Sequence, residues 1–334
     1  MGIHGRCGLP AVLGLVLGLW SQDRAPGAEP AALVLESKVS LGNVRGRIDH
    51  MAFDLRRKRL FVAELANDSV GVVDLREGKT IKTLTHLAEP QGIGYVPSTD
   101  TVYVANARDG SVRLFQGADL APVGQIALGE DADNVRVDDA ANHVFVGYGS
   151  GALAVIDAST RGKIADIPLK AHPESFQLDP SSPRIFVNVP EVREIAVVDR
   201  GANHQITSWS TGSLKANFPM ALDPPRQRVL AIFREPPKMG VFGASDGRLL
   251  AAVDTCGDSD DVYFDAKRTR VYVSCGEGFL QVFSVQGDTY AELGRMATTP
   301  GARTSLFVPG IDRLLLAVRA AGGAPAAIWV FRPQ

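Results

Sequence analysis

The chain has 334 residues, of which 45% are hydrophobic and 22% are charged, and its 35 Lys and Arg against 37 Asp and Glu give a formal net charge of −2. This composition can build a packed core and excludes a bulk electrostatic attraction to nucleic acid or to an anionic membrane. Three cysteines exclude a Cys₄ zinc site and a disulfide-knot scaffold. The 34 glycines and 20 prolines are typical of a chain with many turns.

The N-terminus has the pattern of an export signal. Arg6 precedes an apolar run at 9–20, and small residues follow it. A helix over that run would reach about 18 Å, short of the ~30 Å hydrocarbon core. We therefore expect residues 1–28 to be a signal peptide cleaved within 25–32, a periplasmic or secreted protein, and no transmembrane segment in the mature chain. An uncleaved anchor is the alternative, because proline occupies the −3 position of the candidate cleavage sites.

A repeat dominates the rest of the chain. Seven segments align without a gap, each an apolar strand, a polar turn and a strand rich in Val, Phe and Tyr. They are 48–64, 90–106, 132–148, 173–189, 217–233, 259–275 and 302–318, and their second residues are spaced by 42, 42, 41, 44, 42 and 43. A third strand follows each pair, and a fourth follows in every repeat but the last. Four strands per repeat of roughly 40 residues predict a propeller blade.

The sequence thus predicts an all-β fold: one seven-bladed β-propeller over residues 32–334, built of four-stranded antiparallel blades. The last repeat lacks a fourth strand, and the segment 32–42 resembles one. We expect this N-terminal strand to complete the seventh blade and close the ring, which removes exposed strand edges. Two stacked β-sandwiches are the alternative, but sandwiches do not repeat at this period. A closed ring needs no partner for its stability, so we expect a monomer.

The second strands carry a family resemblance. The segments LFVAE, VYVAN, VFVGY, IFVNV and VYVSC stand where the YVTN repeat motif would be. Residues 33–334 resemble the YncE-like, YVTN-type seven-bladed propellers that bacteria export. The resemblance implies the fold but not the function, since related propellers include dehydrogenase subunits, lactonases, lyases and binding modules.

The first strand of each blade in such a fold lines a central channel, so aligned residues become rings. The entrance ring is Asp49, Gln91, Asp133, Glu174, Phe218, Asp260 and Arg303. Deeper polar positions converge on the same mouth. The candidate ligand-binding residues are Asp49, His50, Gln91, Asp133, Asn134, Arg136, Glu174, Gln177, Asp260, Asp261, Tyr263 and Arg303. Apolar residues between these positions are expected to form the core between blades.

Several functions fit this acidic mouth. The acids can be structural, or they can bind a small polar ligand, a partner protein or a divalent cation such as Ca²⁺, with Asp133, Asp260 and Asp261 as candidate ligands. His50 with Asp49 or Asp261 could instead act as a general base in a lactonase-like hydrolase or a lyase around a divalent metal. The similarity of fold alone suggests a third function, that of a non-catalytic subunit of a periplasmic redox complex. We favour a non-enzymatic binding protein that does not bind nucleic acid.

Cys256 and Cys275 flank the first hairpin of the sixth repeat. Pairing Val262 with Val273 would put residue 260 opposite Cys275. A disulfide is one outcome, and a loop thiol beside a buried small residue is the other.

Overall fold

The computed structural model describes residues 1–2 and 31–334. The predicted signal peptide, 1–28, lies outside the described residues except for its first two. Residues 31–334 form seven antiparallel sheets of four strands each. The predicted seven-bladed β-propeller is thereby confirmed.

Blades 1 to 3 follow one another along the chain after the N-terminal strand β1 (Leu33–Ser40). Blade 1 consists of β2 (Met51–Asp54), β3 (Arg59–Glu64), β4 (Ser69–Asp74) and β5 (Lys79–Leu84). Blade 2 consists of β6 (Pro90–Val96), β7 (Thr101–Asn106), β8 (Ser111–Gln116) and β9 (Pro122–Ala127). Blade 3 consists of β10 (Ala132–Asp138), β11 (His143–Tyr148), β12 (Ala152–Asp157) and β13 (Gly162–Pro168).

Blades 4 to 7 continue the pattern. Blade 4 consists of β14 (Phe176–Leu178), β15 (Arg184–Val189), β16 (Glu194–Asp199) and β17 (His204–Ser210). Blade 5 consists of β18 (Lys215–Asp223), β19 (Arg228–Glu235), β20 (Pro237–Gly243) and β21 (Leu249–Asp254). Blade 6 consists of β22 (Ser259–Asp265), β23 (Arg270–Cys275), β24 (Phe279–Gln286) and β25 (Thr289–Ala297). Blade 7 adds β26 (Ser305–Val308), β27 (Arg313–Val318) and β28 (Ala327–Pro333).

Four single 3₁₀ turns are the helical segments within the described residues. They span Leu65–Asn67, Pro190–Val192, Pro224–Arg226 and Pro309–Ile311. No helix in residues 1–2 and 31–334 combines the length and the apolar character that crossing a membrane would require.

The ring closes as the sequence predicted. Strand β1 pairs antiparallel with β28, so the N-terminal strand is the outermost strand of blade 7. The innermost strands contact their neighbours all round the circle, including β26 of the last blade against β2 of the first. This arrangement ties the two ends of the domain together through one sheet.

Apolar side chains fill the spaces between blades. Residues 31–334 form seven buried clusters, one at each interface between neighbouring blades. Phe61 of β3 and Tyr103 of β7, for example, are fully buried in consecutive interfaces. Innermost-strand residues such as Met51, Ile93 and Val135 belong to these clusters, as the alternation of the first strand predicted. Burial of these side chains on both faces of each blade is the main force that holds the ring together.

The channel entrance departs from regular strand geometry. The carbonyl of Ala63 accepts the backbone N–H of Asp49, and the N–H of Ala63 donates to the carbonyl of His50. Asp49 and His50 therefore both lie opposite the single residue Ala63. Glu174 and Ser175 face Asn188 in the same way. The first hairpins of blades 2, 3, 5 and 6 shift register at the equivalent position. Such bulges redirect side chains, and here they allow consecutive residues to reach the channel.

Candidate functional site

The entrance ring forms one cavity. All seven aligned residues line a space of about 270 Å³, which we call the upper cavity. Its lining is Arg47, Asp49, His50, Gln91, Asp131, Asp133, His172, Glu174, Phe218, Arg234, Asp260 and Arg303. The repeat alignment therefore brought together residues from all seven blades at one rim.

Asp260 is the acid with the most complete charge compensation. Its Oδ1 lies 2.6 Å from Nη2 of Arg234, and its Oδ2 lies 3.1 Å from Nε of Arg303. Asp258 adds a second carboxylate, with Oδ1 2.5 Å from Nη1 of Arg303. The Arg234 guanidinium also lies over the Phe218 ring, 4.0 Å from its centroid. This side of the cavity is a closed ion-pair network.

Asp49 is compensated by one arginine. Nη2 of Arg47 lies 2.7 Å from its Oδ2, and the Asp49 side chain is almost fully buried. Nε2 of His50 lies 3.8 Å from the other carboxylate oxygen, Oδ1. Burial alone would lower the pKa of His50, but the surrounding carboxylates, with Asp49 foremost, raise it above its usual value. The histidine therefore favours its charged form here.

Asp133 and Glu174 have no such partner. Asp133 is 6% exposed, and its Oδ1 makes no hydrogen bond. Within residues 31–334, no side chain forms an ion pair or hydrogen bond with the Glu174 carboxylate. Burial raises the pKa of Asp133, with His50 opposing this and Glu174 adding to it. Burial also raises the pKa of Glu174, and Asp260 adds to that shift. The two acids are thus an uncompensated part of the cavity wall.

His50 also lines a second cavity further along the channel. This lower cavity has a volume of about 420 Å³ and extends to the exposed Pro180 beyond β14. Its lining is His50, Met51, Ile93, Val135, Arg136, Gln177, Leu178, Pro180, Ala221, Leu222, Asp261, Val262, Tyr263, Phe264 and Leu306. The sequence placed Arg136, Gln177, Asp261 and Tyr263 with the acidic mouth. The structure assigns them to this separate cavity, because they lie further along the innermost strands.

Asp261 stands at the junction between the cavities. Its Oδ2 accepts the backbone N–H of Ser305 at 2.7 Å, and its Oδ1 lies 3.3 Å from the hydroxyl oxygen of Tyr263. Nδ1 of His50 lies 4.0 Å from the same Oδ1. Burial raises the pKa of Asp261 to about 7, while the His50 charge opposes the shift. Two groups whose pKa values are both raised by their surroundings therefore meet in the middle of the channel.

Two predicted assignments are not met by this geometry. Asn134 is buried and lines neither cavity. Asp133, Asp260 and Asp261 do not form one ligand set, since Asp260 is bound by arginines and Asp261 faces the other cavity. In the part of the chain that the structure describes, no cluster of three or more His, Cys, Asp and Glu side chains could hold a metal ion. The geometry therefore gives the divalent-cation hypothesis no ligand set.

Sequence reasoning missed one column of the repeat. Arg47, Asp131 and His172 line the upper cavity, and each precedes an entrance-ring residue by two positions. Asp258, in the same column, binds Arg303. Extending the aligned segments by one residue towards the N-terminus would have shown all four as one column.

A disulfide fastens the loop that carries Asp258. The structure joins Cys256 to Cys275, with their Cα atoms 5.9 Å apart. Val262 pairs with Val273 as expected, but a register shift puts Ser259, rather than residue 260, opposite Cys275. The extra residue is the bulge at the channel entrance, which turns Asp260 towards Arg234. The cross-link thus connects the loop before β22 to the end of β23.

Comparison with known proteins supports the fold alone. No protein-family model matches the chain, and no curated protein matches it by sequence. Among solved structures, a chain of Kuenenia stuttgartiensis hydrazine synthase has a TM-score of 0.74 at 14% identity, covering 85% of this chain and 94% of that one. A chain in the crystal structure of a mitotic checkpoint complex has a TM-score of 0.73 at 13% identity, covering 97% and 98%. At these identities the likeness is one of β-propeller architecture.

Proposed function

We propose that this protein is a non-enzymatic binding protein whose upper cavity holds a small polar ligand bearing a cationic group. The observation that carries the proposal is the carboxylate of Asp133, which is buried, lines the cavity and leaves Oδ1 without a hydrogen-bond partner. A buried carboxylate without a partner destabilises the folded state. A bound ammonium or a similar N–H donor would supply the missing partner.

The charge distribution favours a cation over an anion. The three arginines of the cavity, Arg47, Arg234 and Arg303, each already bind an aspartate. Asp133 and Glu174 are the carboxylates left over, and they lie on neighbouring blades 3 and 4. A cation placed between them would gain two charge-assisted contacts, whereas an anion would meet two uncompensated carboxylates.

The size of the cavity limits the ligand. About 270 Å³ is slightly below the usual range of roughly 300–1,000 Å³ for sites that hold drug-sized molecules. A small amine with one or two hydroxyl groups would fit this space. Gln91 and the exposed Asp131 add hydrogen-bonding groups at the rim.

Calorimetric titration with simple probes tests the proposal. Ethylammonium, ethanolamine and putrescine are expected to bind, and acetate and glycolate are not. Asp133→Asn and Glu174→Gln should each weaken amine binding about tenfold or more, since each removes a charge-assisted contact. Asp139→Asn is the matched control, because Asp139 is exposed just beyond the other end of β10. Amine binding that is unchanged in Asp133→Asn, or no amine binding at all, contradicts the proposal.

A second candidate function rests on His50. Its imidazole lies near Asp49 and Asp261 and lines both cavities, so it could act as a general base in a hydrolase or lyase. Hydrolysis of p-nitrophenyl acetate and of a simple lactone tests this alternative. Turnover that is lost in His50→Gln and kept in His143→Gln would favour it. No turnover above background would leave binding as the function.

Export and family membership are part of the proposal. The YVTN-like segments and the seven-bladed fold support an exported YncE-like propeller, and the Cys256–Cys275 disulfide suits an oxidising compartment. N-terminal sequencing of the protein from a periplasmic fraction would test it, with a start within 25–32 expected. A monomer by light scattering is expected as well. The redox-subunit hypothesis would require co-purification with a redox enzyme.

A further inference from the structure

The lower cavity has the features of a second binding site. Its volume of about 420 Å³ falls within the usual range for small-molecule sites. Side chains of Leu178, Leu222 and Leu306 form much of its wall, together with other apolar residues of the innermost strands. A few polar groups face the same space. An apolar wall with a small number of placed polar groups is the usual design of a site for an amphipathic ligand.

Arg136 supplies the charge of this cavity. Its Nη1 donates to the carbonyl of Val135 at 2.9 Å, and its Nη2 donates to Oγ of Ser175 at 3.1 Å. Its guanidinium carbon lies 5.5 Å from the centroid of the Phe176 ring, within the range of a cation–π contact. A guanidinium has five N–H donors, and these two hydrogen bonds use two of them. The other N–H groups of Arg136 remain available to a ligand.

No carboxylate neutralises this guanidinium. Among residues 31–334, Arg136 has no acidic side chain within 4.0 Å, unlike the three arginines of the upper cavity. Burial lowers the pKa of Arg136, but a guanidinium keeps its charge at any physiological pH. A charged group in an apolar surrounding is costly without a counter-ion.

Asp261 does not serve as that counter-ion. Its Oδ2 accepts the N–H of Ser305, and its Oδ1 lies 3.3 Å from the hydroxyl oxygen of Tyr263. The nearest basic group to it is the imidazole of His50, 4.0 Å away. Tyr263 in turn donates to the carbonyl of Ser305 at 2.8 Å. Asp261 and Asp133 act on Arg136 only from beyond ion-pair distance, so the position of a directly bound carboxylate is left for a ligand.

We propose that the lower cavity binds a small monocarboxylate with an apolar body. The carboxylate would accept N–H bonds from the free donors of Arg136, and the body would lie against Leu178, Leu222 and Leu306. An alkylammonium would place its charge beside the guanidinium, and a neutral alcohol would leave that charge uncompensated. This proposal does not depend on the proposed function of the upper cavity. The two cavities have His50 in common as a lining residue.

Three probes of equal length test the charge preference. Hexanoate, hexan-1-ol and hexylammonium would be titrated into the purified protein by calorimetry, with acetate added to test the need for an apolar body. Hexanoate is expected to bind at least about tenfold more tightly than each of the others. Equal affinities for the three six-carbon probes, or no binding of hexanoate, would overturn the proposal.

Variants locate the binding. Arg136→Met keeps an unbranched stem but removes the charged end of the side chain, and it should weaken hexanoate binding about tenfold or more. Arg136→Lys should retain part of the affinity, because it keeps the charge but loses the guanidinium geometry. Arg248→Met, at an exposed loop position of blade 5, is the matched control. Unchanged hexanoate binding in a folded Arg136→Met protein would overturn the proposal.

Two further variants separate this site from the upper cavity. Leu306→Phe adds volume to the wall of the lower cavity and leaves Arg136 in the sequence, so it should also weaken hexanoate binding. This variant tests the proposal even if Arg136→Met fails to fold. Asp133→Asn should leave hexanoate affinity unchanged within about twofold while it weakens amine binding. Hexanoate binding that becomes tighter in Asp133→Asn and is kept in Leu306→Phe would place the carboxylate in the upper cavity and overturn the assignment.

Discussion

The imidazole of His50 in blade 1 lies 4.0 Å from the carboxylate of Asp261 in blade 6, measured from Nδ1 to Oδ1. Blade 7 separates these two blades in the ring, so the contact reaches across the channel. It divides the channel into an acidic upper cavity and a largely apolar lower one. The two residues are therefore the point at which proton binding and ligand binding in either cavity can be coupled.

Two entrance aspartates should respond to neutralisation with opposite signs. Asp133→Asn is expected to stabilise the protein by about 1–2 kcal/mol, because it removes a buried charge that has no partner. Asp260→Asn should destabilise it by about 1–3 kcal/mol, because it leaves Arg234 and Arg303 undercompensated. Urea unfolding at pH 7.5 measures both changes, and equal signs would contradict this account of the upper cavity.

Stability should decrease as the pH rises towards neutrality because of Asp261. Its pKa of about 7 in the folded state exceeds its unfolded value of about 3.9, so the folded state takes up a proton between these values. The stability that this proton gives is complete below pH 4 and is lost as the pH rises to about 7. The raised pKa of His50 acts in the same direction, from about 6.5 upwards.

Asp261→Asn isolates this effect, because asparagine cannot ionise. The free energy of unfolding of the variant should exceed that of the parent by an amount that grows from pH 4.5 to pH 7.5. This advantage should reach about 1–3 kcal/mol, measured by urea unfolding at each pH. Asp139→Asn, at an exposed position, should show no such trend. A stability difference between Asp261→Asn and the parent that does not vary with pH would contradict the raised pKa of the buried Asp261 carboxyl.

An ion pair between blades 6 and 7 should stabilise the closed ring. Arg268 donates to both oxygens of Asp312, at 2.7 and 2.8 Å, and this contact holds the pKa of Asp312 well below its usual value. Asp312→Asn should lower stability by about 1–2 kcal/mol at pH 7. Asparagine is the right replacement, because φ is +54° at this position and asparagine tolerates the left-handed region.

The pH dependence of this pair has the opposite sign to that of Asp261. Its stabilisation is present above the unfolded pKa of about 3.9 and is lost as the pH falls below it. The deficit of Asp312→Asn should therefore shrink between pH 5 and pH 2. Arg57 binds Asp100 in the same way between blades 1 and 2, at 2.7 and 2.8 Å, so Asp100→Asn should behave alike.

The Cys256–Cys275 disulfide should support the wall of the upper cavity. The bridge spans a sequence separation of 19 residues, for which roughly 3 kcal/mol of stabilisation is expected. The Cys256→Ser, Cys275→Ser double variant should lose about that much stability and should bind amines less tightly, since the loop carries Asp258 and leads directly into Asp260 of β22. A thiol assay on protein that starts after residue 28 should find no free thiol before reduction and two after it.

Two free thiols before reduction would contradict the bridge. A double variant with parental stability and parental amine affinity would show that the loop is held by its ion pairs alone. Ser284→Ala, on the outer part of blade 6, is the control for a small change in the same blade.

The sequence by itself determined the number of blades, their strand order and the closure by the segment 32–42, since the repeat is a local pattern written seven times. It also placed Asp49, Asp133 and Glu174 at one rim, because equal positions in equal blades meet around an axis. Only the tertiary structure decided which acids have partners: the arginines that compensate Asp49 and Asp260 come from loops and from other blades, and their reach depends on side-chain positions across the channel. It also decided the separation of Arg136 from the acidic mouth, because the entrance bulges break the alternation on which a sequence pattern depends.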